Sequence, residues 1–203
     1  MLNLTSMLAL PAASKLNELL SAYDAIDGVL DYVPRTVERE PSHAEHARSA
    51  IAAMQLIDRN LERWAIERST PDIPIEMFYR LTIDSDKLDG QIIDFDQFWG
   101  TDDVAPKPLG DNAWSIPNVD GYKTAFFHPP YGIRGEQFDN LRLFDALNQE
   151  LFGTPASACI VYNWSTNWST YFDAGHEWWG SLFWTVYSPN TKLLTCIGAS
   201  STD

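Results

Sequence analysis

At 203 residues, with 45% hydrophobic and 21% charged side chains, the chain has the material for one sizeable core and the composition of a folded globular domain, which excludes a disordered one. Its 28 acidic residues against 14 Lys and Arg leave a formal charge of −14, which opposes phosphate backbones and anionic membrane surfaces and favours basic partners. Two cysteines, Cys159 and Cys196, make no disulfide scaffold, and no CxxC or Cys/His metal spacing occurs.

The opening MLNLTSMLAL is apolar but lacks a basic lead and is broken by Asn3, Thr5 and Ser6, so it does not read as a secretory signal. No stretch has the length of a membrane span, and a cytoplasmic location is expected. From Ser14, the residues Leu16, Leu19, Leu20, Tyr23, Ile26 and Leu30 form a helical stripe that Pro34 stops. A second helix begins at Ser42, where Ser42 and Glu45 have the spacing of a capping box. Its apolar positions Ala47, Ile51, Met54, Ile57, Leu61 and Trp64 carry it to about Arg68, ahead of Pro71.

Strand signals follow at Ile75–Ile83 and, more weakly, at Gln91–Phe98. The stretch from Asp84 to Asp120 holds nine aspartates against Lys87 and Lys107 alone. Its Asp84-Ser-Asp-Lys-Leu-Asp-Gly90 segment places glycine one position late for an EF-hand loop and has Phe95 where the closing glutamate belongs, so that motif fails. Tyr122–Phe127 reads as a short buried strand. Phe138, Leu141, Phe144, Leu147 and Leu151 predict a helix over 136–152, with Gly153 and Pro155 as its stop. Ala158–Asn163 and Gly180–Tyr187 read as strands, and Ser188-Pro189-Asn190-Thr191 as the turn leading into a returning strand, 192–198. The expected fold is a single α+β domain over 1–203: two N-terminal helices, then a mainly antiparallel sheet with one further helix and a C-terminal hairpin. Residues 1–70 could form a helical arm packed on 71–203.

Ten of the 26 residues from Tyr162 to Tyr187 are aromatic, and NWST occurs twice at 163–170. The polar residues around Trp164 and Trp168 argue for a strand end and a long loop, 163–180, rather than a helix. Trp164, Trp168, Trp178 and Trp179 are therefore candidate binding residues, with capping of the sheet as the competing role. Within that loop, Asp173, His176 and Glu177 are candidate acid–base groups. The HExxH comparison fails, because Gly180 stands where the second histidine belongs. A metal site drawing on Asp173, His176 and His128, with His43 or His46 as lesser ligands, is the weaker reading, and no metal and no cofactor is expected.

His128-Pro-Pro-Tyr131-Gly resembles the [DNS]PPY motif of adenine-N6 methyltransferases, but His128 departs at its first position and no glycine-rich methyl-donor loop accompanies it. Neither a P-loop, a GxGxxG nor a GxSxG segment is present.

Two function classes remain. The first is an acidic, non-enzymatic binding protein that engages a basic protein partner, neither nucleic acid nor membrane, through Asp102, Asp103, the tryptophans, Tyr131 and His128. In charge and size alone the chain resembles small acidic bacterial inhibitors and immunity proteins, which cover a basic site with carboxylates. The second is a hydrolase or carbohydrate-active protein with an aromatic-lined pocket using Asp173, His176 and Glu177. Self-association through the aromatic loop is a third outcome.

Overall fold

In the computed structural model, which describes residues 14–70, 72, 80–101, 104–106, 121–177 and 179–200, the chain forms an α+β fold around one antiparallel five-stranded sheet. α1 (Lys15–Ala25) starts at Ser14, whose hydroxyl accepts a hydrogen bond from the Asn17 N–H at 3.3 Å. It ends well short of Pro34. Asp27 turns the chain in the left-handed region at φ 64°, and Gly28 lies so close to the Tyr23 ring that a Cβ there would overlap it.

Leu30, expected on the helical stripe, instead opens β1 (Leu30–Thr36). β1 pairs antiparallel with β5 (Leu193–Ser200), with Pro34 opposite Thr195. Val37 N–H donates to the Lys192 carbonyl at 2.9 Å just beyond the strand, so the ladder bonds fall on the odd-numbered residues of β1. Pro34 therefore turns its missing N–H away from β5, where no ladder bond is lost. The Leu30 N–H, facing outward by the same alternation, donates to the Tyr23 hydroxyl at 3.4 Å.

α2 (His43–Arg68) spans 26 residues, as its sequence pattern predicts. The Glu45 carboxylate reaches back to the Ser42 N–H and hydroxyl, each at 2.8 Å, which ties down the first turn. β2 (Gly90–Ile93) is followed at once by α3 (Phe95–Trp99), so the strand expected through Phe98 is half strand and half helix. Asp94 is the N-cap of that helix, where a short polar residue favours departure from the extended backbone.

α4 (Tyr122–Phe127) corrects the strand expected at those residues. Its run of apolar residues has no period of its own, and five of its six side chains are buried, so packing rather than local preference decides the backbone. α5 (Gln137–Phe152) ends at Gly153, at φ 66°, as the stop signal implies. A single 3₁₀ turn at Ala156–Ala158 precedes β3 (Ile160–Trp164), which therefore begins later than expected. The presumed loop 163–180 contains a 3₁₀ turn at Thr170–Phe172 and α6 (Asp173–Glu177). β4 (Ser181–Ser188) and β5 close the chain as the expected hairpin.

The strand order is β1-β5-β4-β3-β2, every pair antiparallel. One face of the sheet carries Leu30, Tyr32, Val161, Trp184, Val186 and Ile197 against α1, α3, α4 and α5. The other carries Phe183 and Cys196 against Ala50, Ala53, Met54 and Ile57 of α2. With helices on both faces, β5 is buried at all eight positions, and its apolar residues do not alternate with exposed polar ones. Residues 30–36 are thus woven into the sheet through β1. The further helix expected after the N-terminal pair becomes four, α3 to α6, among the described residues.

Candidate functional site

The described tryptophans of the aromatic loop are wall material. Trp164, the last residue of β3, is 3% exposed and donates its indole N–H to Thr185 Oγ1 at 2.9 Å. Trp168 is 1% exposed and lies edge-on to Phe183 at 5.4 Å. Trp179 is 6% exposed and donates to the His128 carbonyl at 2.8 Å, on the α5 side of the sheet. The loop folds back because its backbone pairs with 82–84: Asp84 N–H donates to the Trp168 carbonyl at 2.7 Å and Thr170 N–H to the Thr82 carbonyl at 3.1 Å. Trp178, Asp102 and Asp103 lie outside the described residues, as do most of the strand expected at 75–83 and the side chain of Glu177.

Two of the candidate acid–base groups share one short helix. Asp173 and His176 are exposed on α6, and His176 Nε2 pairs with Thr166 Oγ1 at 2.7 Å. His128 Nε2 donates to the Ala105 carbonyl at 2.6 Å, and Tyr131 is 54% exposed beyond the Pro129-Pro130 turn. Among the described residues, no group of three or more His, Cys, Asp and Glu is placed to hold a metal ion. Burial pushes the Cys159 thiol up to about 11 and the Cys196 thiol to about 12, so neither supplies a thiolate nucleophile. β4 separates the strands that Cys159 precedes and Cys196 occupies.

Two polar clusters that the sequence did not announce lie under the α2 side of the sheet. The Asp31 carboxyl, half-buried on β1, accepts the Tyr171 hydroxyl at 2.7 Å. Burial pushes it up to about 7 against the opposing effect of that hydrogen bond, and the charge of Asp24 adds to the rise. His46, fully buried on α2, pairs through Nδ1 with Thr185 Oγ1 at 2.8 Å. That oxygen also accepts the Trp164 indole N–H, so the two rings meet at one hydroxyl. Burial holds His46 down to about 4, helped by the charges of His43 and Arg35. The His46 and His43 rings both pack on Tyr162, at 4.6 and 5.2 Å.

Beside this aromatic cluster the sheet ends at β2, its last strand among the described residues. Ser165 N–H donates to the Asp89 carbonyl at 2.7 Å, and the register sets Gln91 opposite Asn163 and Ile93 opposite Val161. By the antiparallel alternation, residues 89, 91 and 93 bond to β3, and Gly90 and Ile92 turn their N–H and C=O groups outward. Ile92 lies directly across from Tyr162 and is 65% exposed. Gly90 is required where it stands, since a Cβ there would overlap the Trp164 ring.

Open clefts of about 370 and 280 Å³ flank the strand, the first lined by Ile92, Ile93, Asp94, Phe95, Cys159 and Ile160, the second by Asp89, Gln91, Gln97, Asn163 and Trp164 among others. Neither is lined by Asp173 or His176. Asp86, Asp89, Asp94 and Asp96 are all exposed along this edge. The sequence signalled its acidity, but the alternation that would have singled out Ile92 was hidden in a four-residue strand.

The chain matches no protein-family model, no curated protein and no solved structure.

Proposed function

We propose that the chain is a non-enzymatic binding protein whose acidic sheet edge covers a basic surface of another protein. The supporting observation is the distribution of charge between Asp84 and Trp99. Asp86, Asp89, Asp94 and Asp96 stand exposed there, while Lys87, the only basic residue in that span, is held by Asp84 at 3.0 Å. Like-signed carboxylates without counter-charges repel one another at a modest cost in stability, and an approaching cation relieves that repulsion. Such a field speeds association with a basic partner and is screened within roughly 8 Å at physiological salt, so the complex is salt-sensitive. None of Asp173, His176 and His128 lines either cleft, which gives the hydrolase alternative no comparable support.

The test is capture from host lysate on the immobilised chain at low and high salt, beside a variant carrying Asp89→Asn, Asp94→Asn and Asp96→Asn. The expected result is a stoichiometric basic protein retained at low salt, and lost both at high salt and on the variant. Equal capture by the variant would sink the acidic-edge reading.

A further inference from the structure

We infer that the partner is engaged by strand addition: an extended basic segment of another protein pairs with β2 and extends the sheet. The inference rests on the binding-protein reading and specifies its geometry.

Gly90 and Ile92 present two N–H and two C=O groups along the open edge, spaced as one side of an antiparallel ladder. Ile92 adds an exposed apolar side chain, continuous with Tyr162 and His43 on the same face. Proteins commonly protect an open edge with lysine or proline, and neither occupies residues 90–93, while among the described residues no strand pairs with the outer side of β2. A residue of the added strand opposite Ile92 would lie on the Tyr162 face, and its neighbours in sequence would point toward the cleft of Ile93 and Phe95.

Charge selects the occupant. Self-pairing of two β2 strands about Gln91 would set Asp89 of each copy one residue from Asp94 of the other, and like charges across strands destabilise pairing. Lys or Arg two or three residues to either side of an apolar residue would instead meet Asp89 and Asp94. The segment that fits is therefore extended, apolar at alternate central positions and basic at both ends.

The test uses the full chain and the peptide Lys-Lys-Val-Thr-Val-Lys-Lys in three forms: unmodified, and N-methylated at one or the other alternate set of central residues. N-methylation removes backbone donors and keeps the charge. The expected result is binding of the unmodified peptide, at least tenfold weaker binding of one methylated form, and little change for the other. Hydrogen exchange at the Gly90 and Ile92 amides should slow in the complex. An Ile92→Pro variant should reproduce the loss, and because that N–H faces away from β3 its melting temperature should stay close to the parent's; Ile92→Ser, which keeps the N–H, controls for the side chain. Equal binding of both methylated forms, failure of the unmodified peptide to bind, or a chain dimer abolished by Ile92→Pro would overturn strand addition. Salt-sensitive capture of a basic protein alongside any of these would leave the binding-protein reading standing, whereas failure of that capture as well would remove both.

Discussion

β5 and β2 are strands of one sheet under opposite constraints. β5 is hydrogen-bonded on both sides and covered by helices on both faces, so each of its eight residues is buried. β2 is bonded on one side only, and Gln91 and Ile92 are exposed. Stability accordingly concentrates at β4 and β5, and the capacity to recognise something is left at the edge, where backbone groups and an apolar side chain remain unused. The difference also explains where the polar residues go. On the helix-covered face they are paired internally, as in Asp31 with Tyr171 on the opposite edge strand β1 and His46 with Thr185 at the centre, while along β2 they face water as aspartates.

The largest effect should come from emptying the centre. Phe183→Ala on β4 removes a fully buried ring packed between Trp168 and Phe172, and truncations of this kind cost about 3–5 kcal/mol. Urea unfolding should show a loss of that size; a loss under roughly 1 kcal/mol would mean that the α2 side of the sheet is not a packed core.

An intermediate effect should appear in the pH dependence of stability, where the two polar clusters oppose each other. The Asp31 carboxyl is raised in the fold, so the native state holds its proton more tightly than the unfolded chain. Its contribution is fully present below the unfolded value near 4 and is lost as pH rises to about 7. His46 is held at about 4 against an unfolded value near 6.5, so it withdraws stability as pH falls through that window. Between pH 4 and 6.5 the two slopes have opposite signs. Asp31→Asn, which keeps an acceptor for Tyr171, should leave stability rising with pH across this range. His46→Gln should leave it falling. Denaturant midpoints measured from pH 4 to 8 check both, and parallel profiles for the two variants would show that the fold does not shift these groups in opposite directions.

The smallest effect belongs to the edge. Ile92→Ser should change stability by no more than about 0.5 kcal/mol, since its side chain is mostly in water already. A large loss there would show that β2 is part of the stability core and would erase the contrast with β5.

What could be read along the chain was whatever local chemistry enforces. α2 carries Ser42 and Glu45 at its start and a sustained apolar period, α5 stops at Gly153, and the last two strands are joined by a Pro-Asn turn. These signals act within a few residues, so no distant contact was needed to interpret them. Tyr122–Phe127 and Leu30–Thr36 went the other way. A short apolar run is compatible with either helix or strand, and Pro34 argues against a strand until the edge position and its outward alternation are known. The burial of Trp164, Trp168 and Trp179 was likewise a matter for the tertiary structure, because spacing places an indole on a face but cannot say what packs against it. So with the edge: composition alone fixed its acidity, but which backbone groups lie open beside those carboxylates depends on the pairing of β2 with β3, a contact between residues some seventy positions apart.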